Sequence, residues 1–393
     1  MQHDWLIVGA GFAGAVLAER IASQRRESVL VIDRRPHIAG NAFDHLDDAG
    51  ILIHQYGPHI FHTNAESVVN YLTQFTGWRP YEHRVLAEVG DKRLPMPINI
   101  DTVNGFFDLS LQTGEEMEEF LSTRRVQIEK IQSAEDLVLS TVGPELYAAF
   151  FRDYTTKQWG LAPSRLPRSV TARVPTRASH DDRYFTDTFQ MMPDRGYTAM
   201  FQAILDHPLI EVRLGVDFEE MRDSGSHKRM IYTGPIDEYF QWRLGHLPYR
   251  SLRFEHKTLE QEWLQPLGVV NYPGKEPYTR VTEYKHLTGQ VHPATSLTWE
   301  YPSAEGDPFY PVPEAKNQEL YRQYRALADE LPDVWFVGRL GTYQYMNMDQ
   351  VVAQALATFG RIDASLGPTH PATGSGPSAD RQRLQEPARG LAS

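Results

Sequence analysis

The chain has 393 residues, 41% of them hydrophobic and 11% aromatic, with a formal net charge of -12 and no cysteine. Such a length exceeds one small core and calls for two or more lobes, and the acidic balance excludes a general nucleic-acid binder, which needs a basic face to displace counterions. The missing cysteines exclude disulfides, thiolate metal sites and cysteine nucleophiles, and no metal site is expected.

In chain order, Trp5-Leu6-Ile7-Val8 runs into Gly9-Ala10-Gly11-Phe12-Ala13-Gly14, an apolar strand handing over through glycines to a helix predicted over 12–23. Gly9 suits the tight turn, Gly11 a backbone approach to a pyrophosphate, and Gly14 close packing of helix on strand. A second strand at 28–32 ends at Asp33, whose carboxylate can accept from a ribose. This is the pattern of an adenine-dinucleotide site. The start lacks a basic stretch ahead of an apolar core, and no apolar run approaches the roughly 20 residues of a spanning helix. A cytoplasmic protein without a membrane partner is expected.

The loop 34–41 brings Gly40 and Asn41 back toward a cofactor, and a second glycine site follows at 56–62. From about 66 to 205 the pattern turns helix-rich and acidic, with helices predicted at 66–75, 114–124 and 145–155. The dinucleotide pattern resumes at 229–234, a short strand ending in Thr233-Gly234, and at 334–339, ending in Gly338-Arg339. Such a discontinuous construction is common in flavin domains. Segments 251–253, 269–271, 281–284 and 296–301 read as strands of a second sheet. A last helix is predicted from about Met348 to Leu366. The remainder is rich in Gly, Pro, Ser and charge and reads as a disordered tail.

The expected fold is therefore α/β: a discontinuous Rossmann-like dinucleotide-binding domain (1–65, 206–250 and 332–366), an inserted, mainly helical lobe (66–205), a mostly antiparallel sheet domain (251–331), and a tail (367–393).

Residues 150–160 are aromatic and lead into an arginine-studded, proline-punctuated loop through 175. A base can stack on a ring while guanidinium groups hold phosphates. On composition alone an ordinary surface loop with core aromatics fits equally well.

Three segments, Gly57-Pro58-His59-Ile60-Phe61-His62-Thr63, Tyr154-Thr155-Thr156-Lys157-Gln158-Trp159 and Gly338-Arg339-Leu340-Gly341-Thr342-Tyr343, together resemble the bacterial UDP-galactopyranose mutases. The similarity runs in the same order from the first strand to about Leu366. The resemblance implies an FAD protein, active when reduced, that interconverts UDP-galactopyranose and UDP-galactofuranose for cell-surface glycans. In that chemistry the reduced flavin N5 attacks the anomeric carbon and expels UDP, and a flavin-sugar iminium species lets the ring reclose. The resemblance also makes 1–65, 206–250 and 332–366 the FAD-binding domain and 66–205 a substrate and dimerisation lobe with a mobile loop at about 160–176, through which a homodimer is implied.

By the same resemblance Arg173 and Arg280 clamp the diphosphate, with Arg173 arriving as its loop closes. Tyr154, Thr155 and Trp159 match the uridine motif, Asn271 reaches the uridine, Phe150 and Phe151 line the nucleotide pocket, and Tyr184, Tyr310 and Tyr345 contact phosphate. His59 and His62 fall beside the flavin, with His62 taken as catalytic, while His83 is read as structural. Cofactor contacts carry over to Gly9, Gly11, Phe12, Ala13, Asp33, Arg34, Gly40, Asn41, Gly57, His59, Ile60, Thr233, Gly234, Arg339, Met346 and Met348. The chain departs from the family at Asn347, where an acidic residue is common. An amine-oxidase-like flavin oxidoreductase shares the glycine pattern and lacks the arginine pair, and a non-enzymatic UDP-sugar sensor is the other alternative.

Overall fold

The computed structural model describes residues 2–222, 225 and 227–367. Its first layer is a parallel five-stranded sheet in the order Ile210–Leu214, Val29–Asp33, His3–Val8, His227–Tyr232 and Val334–Phe336. Apolar residues alternate onto two cores, as strands covered on both faces require. Trp5, Ile7, Val29, Val31 and Ile231 point to one core, and Leu6, Leu30, Ile32, Met230 and Tyr232 to the other. Helices Phe12–Arg20, Gly196–Leu205 and Met348–Leu366 cover the first face, and Ala315–Asp329 contributes Tyr324 and Ala328 to the second. The first helix ends in a π turn, Ile21–Arg25, closed by Arg26 at φ 56°.

The second layer is a seven-stranded sheet in the order Tyr310–Pro311, Tyr249–Leu259, Thr295–Ser303, Arg280–Glu283, Val269–Asn271, Val85–Val89 and Lys92–Met96. It is antiparallel except where Val269–Asn271 runs parallel to Val85–Val89. The 66–205 interval is therefore not mainly helical throughout. Trp78–Pro80, Val85–Val89, Lys92–Met96 and Phe189–Pro193 are strands, and Gly196–Leu205 packs against the first helix of the dinucleotide layer. The 250/251 boundary also moves, because strand Tyr249–Leu259 crosses it.

The helical part of the lobe comprises Ile100–Phe107, Gly114–Ser122, Ala134–Val142 and a run from Pro144 to Trp159, closed over its own core by Val103, Met117, Leu121, Val138 and Phe150. Asn99, Thr113 and Ser133 open three of these helices with capping boxes, each satisfying otherwise orphaned N–H groups. The Pro144–Trp159 run is interrupted by a π turn at Tyr147–Arg152, within which Phe150 and Phe151 are both buried. The tail expected at 367–393 lies, beyond Gly367, outside the described residues. No described helix is long and apolar enough to cross a membrane.

Candidate active site

Three adjoining cavities run from the glycine turn to the helical lobe. The first, about 240 Å³, is walled by Gly9, Gly11, Phe12, Ala13, Asp33, Arg34, Gly40, Asn41, His59, Thr233, Gly234, Arg339, Met346 and Met348. Gly9 has φ 106°, and a Cβ there would collide with Thr233 Oγ1, as one on Gly14 would with Gly9 O. Only bare backbone lets the turn fold this tightly against the helix. Gly11 precedes the helix without a side-chain cap, so its first N–H groups are free for an anion such as a pyrophosphate. Asp33 accepts from the Ala10 N–H at 2.8 Å and the Arg35 N–H at 2.9 Å. The cradle thus fits the adenosine and pyrophosphate parts of a dinucleotide.

The central cavity, about 630 Å³, shares Asn41, His59, Arg339 and Met348 with the first. Gly57 and Ile60, expected as cofactor contacts, line this central space with His62, Arg173, Tyr184, Asn271, Arg280, Tyr310 and Tyr345. Arg280 ends on the second sheet, its Nη2 3.2 Å from Tyr154 Oη and its Nε 3.8 Å from Glu300 Oε1. The Arg173 guanidinium lies 3.3 Å from the centre of the Tyr345 ring, which stacks on Tyr310 at 5.4 Å. Arg339 donates twice to Met346 O and lies 4.9 Å from the Tyr345 ring centre. With Arg177, four arginines therefore line one chamber, an arrangement suited to a polyanion.

Burial sets the protonation of His59 and His83. His59 donates Nδ1–H to Gly57 O at 2.9 Å, and desolvation lowers it to about 3, as it does His83 on the same wall. Both are neutral at physiological pH. Burial likewise lifts the Tyr184 hydroxyl to about 12. His62 sits against Asp187, Nδ1 to Oδ2 2.8 Å.

The third cavity, about 90 Å³, is lined by Phe150, Phe151, Tyr154, Thr155 and Trp159, and shares Tyr184 and Asn271 with the central one. Asn271 is buried, and its Oδ1 has no hydrogen-bond donor. That acceptor at the mouth of an aromatic slot suits the N–H or hydroxyl of a nucleoside.

The structure adds residues that the sequence reading left out. Glu300 lines the central cavity with its carboxyl pushed up by burial against the pull of Arg280. Asp187 and Phe185 stand behind His62. Lys157 donates to three carbonyls, Tyr272 O, Glu276 O and Tyr278 O, at 2.6, 2.9 and 3.1 Å. Alternation along 295–303 sets Glu300 opposite Leu297, Trp299 and Tyr301 and so gave no sign that it lines the cavity, and the irregular segment around Asp187 offered none either. Among the described residues no group of three or more His, Asp or Glu is placed to hold a metal ion.

A glycine cradle on a parallel sheet, an arginine-lined chamber under a second sheet and an aromatic slot in a helical lobe define an α/β protein of the dinucleotide-fold class with a second, cation-lined chamber. Residues 7–75 match the NAD(P)-binding Rossmann-like domain and residues 149–345 match the UDP-galactopyranose mutase (GLF) domain. The Klebsiella pneumoniae protein named "Probable UDP-galactopyranose mutase" is 41% identical over 360 residues, 90% of this chain and 93% of the relative. The Escherichia coli dTDP-fucopyranose mutase is 37% identical over 362 residues, 89% of this chain and 96% of the relative. A crystal structure of reduced UDP-galactopyranose mutase shares the fold at TM-score 0.74 and 16% identity, covering 93% of this chain and 96% of that one. The chain belongs to the UDP-galactopyranose mutase family, a family of isomerases of the intramolecular-transferase type.

Proposed function

We propose that this protein interconverts UDP-galactopyranose and UDP-galactofuranose with FAD as its cofactor, which the glycine cradle, Asp33, Arg34 and Arg339 would hold. The chemistry that reduced FAD would supply when bound is an electron-rich N5 nucleophile for the anomeric carbon. The carrying observation is the placement of Arg173 and Arg280 in the central cavity that joins the aromatic slot to the cradle. A uridine seated among Phe150, Phe151, Tyr154, Thr155 and Trp159 puts its diphosphate beside both guanidinium groups, and its sugar toward His59 and His62. Arg173 and Arg280 then stabilise the charge that grows as UDP departs and hold it for return. Tyr184, Tyr310 and Tyr345 add hydroxyls to the same phosphate site, and closure of the Arg173 loop keeps water out.

A homodimer through the helical lobe and supply of furanose to cell-surface glycans belong to the same reading and rest on the family resemblance, and cytoplasmic residence is proposed with them. An oxidase of the amine-oxidase type would want an apolar substrate tunnel, which the four arginines lining the central cavity oppose. The test is furanose formation from UDP-galactopyranose by dithionite-reduced protein, with dTDP-fucopyranose as the competing substrate. Equal turnover by oxidised protein overturns the mechanism, and preference for dTDP-fucopyranose overturns the substrate.

A further inference from the structure

His62 and Asp187 approach one wall of the central cavity from neighbouring strands. His62 lies on Phe61–Thr63 and Asp187 just ahead of Phe189–Pro193, its antiparallel partner. Four hydrogen-bonding groups stand in line. The Thr188 backbone N–H donates to Asn64 Oδ1 at 2.8 Å, which turns the Asn64 amide so that Nδ2 donates to Asp187 Oδ1 at 2.8 Å. The second carboxylate oxygen faces His62 Nδ1 at 2.8 Å. An ionised carboxylate only accepts, so His62 Nδ1 carries a hydrogen, and in the neutral ring Nε2 is then a lone-pair acceptor. Phe185 fixes the ring plane by stacking, centroids 3.5 Å apart and planes 11° from parallel. Among the described residues Nε2 has no hydrogen-bond partner, and it is not sealed from the cavity that His62 lines.

We propose that Asp187 is a positioning residue, which locks His62 in the Nδ1–H tautomer and presents Nε2 to the central cavity as a fixed acceptor for a sugar hydroxyl. A carboxylate behind an imidazole performs this orienting task in other active sites. The identity of the hydroxyl rests on the proposed mutase reading, whereas the tautomer is a property of the chain alone. The geometry also requires a carboxylate at 187. Asparagine has one oxygen for two fixed donors, so Asp187→Asn must turn its NH2 group either on Asn64 or on His62.

The experiment records long-range 1H–15N spectra of 15N-histidine-labelled, flavin-loaded protein, with His62→Gln identifying the signal. Wild type is expected to show a protonated Nδ1 and a bare Nε2, and both Asp187→Asn and Asp187→Ala a mixture of tautomers. In parallel, kcat for Asp187→Ala is expected to fall on the order of 10²-fold, with KM within about threefold, because the aim of Nε2 matters after binding. An Nε2–H tautomer in wild type, or one unmoved in Asp187→Ala, overturns the proposal. So does a moved tautomer with kcat unchanged. If wild type shows the Asp187-dependent tautomer but no mutase turnover, the lock is supported and the substrate assignment is what fails.

Discussion

At the level of single residues, the central cavity concentrates charge that water would otherwise screen. Arg280 holds Tyr154 at 3.2 Å on one side and Glu300 at 3.8 Å on the other, so its guanidinium is pinned before any ligand arrives. Arg280→Ala and Arg173→Ala are each expected to lower kcat/KM by on the order of 10²-fold or more, with the bound flavin absorbance retained; unchanged turnover in either variant sinks that residue's role. Arg280→Lys does not restore activity, since a point charge lacks the fork that spans diphosphate and Tyr154 together. A different residue, His54, serves stability. It is buried, accepts the His59 N–H at Nδ1 at 3.0 Å, and desolvation lowers it from 6.5 to about 3. Between those two values the unfolded chain binds a proton that the folded one refuses, so stability is full above pH 6.5 and falls as pH drops toward 3. His54→Asn keeps an acceptor in place and removes the titration. Its stability-pH slope in that window, by urea unfolding, is expected to be shallower by up to about 1.4 kcal/mol per pH unit; identical slopes rule the His54 contribution out.

At the level of elements, the uridine slot depends on how helix Asp153–Trp159 is tied to the second sheet. Lys157 does this with one ammonium shared among three carbonyls of the 272–278 loop. Lys157→Met leaves those carbonyls without their donor, and each bond to a charged group is worth about 1.5–3 kcal/mol. Part of that loss falls on the slot, so KM for the nucleotide sugar is expected to rise about tenfold, equivalent to about 1.4 kcal/mol, with kcat little changed; a fall in kcat alone would show that Lys157 acts on the chemistry instead. The elements differ in how well they can be read from sequence. The first parallel strands and the last helix are legible because a continuous apolar run or a long 3.6-residue period specifies them locally, and the helix at Gly114–Ser122 announces itself through Thr113 and Glu116. Val85–Val89 is not legible as part of the second sheet, since its place there comes from pairing with Val269–Asn271, far along the chain, and short strands take much of their preference from such partners. The same holds for the site. Gly9, Gly11 and Asp33 carry their chemistry in local spacing, whereas Arg173 and Arg280 become a pair only through the family likeness, and Asp187 only through the pairing of Phe61–Thr63 with Phe189–Pro193.

Across the whole molecule, the two sheets meet around the cofactor cradle, and the loop between Thr295–Ser303 and Tyr310–Pro311 spans the junction. Asp307 on that loop reaches back to the dinucleotide layer, pairing with Arg34 at 3.2 Å and Arg35 at 2.8 Å. Arg35 also donates to Asn41 Oδ1 at 2.9 Å and lies 4.2 Å from the Tyr56 ring centre, while Pro308 and Phe309 form part of the cradle wall. A single carboxylate thus straps the sheet domain over the cavity in which FAD is proposed to sit. Both pairs are partly solvated, with Asp307 and Arg34 each 44% exposed and Arg35 16%, so each is worth about 0–1 kcal/mol rather than more. Asp307→Ala is therefore expected to speed flavin release about fivefold, the factor that about 1 kcal/mol supplies, as read from the rise of free-flavin fluorescence after dilution. Raising the salt to about 1 M shortens the screening length to about 3 Å. Wild-type release should then approach the variant's rate while the variant's own changes little. Equal rates at low salt would show that the strap does not hold the cofactor, and that retention comes from the cradle alone.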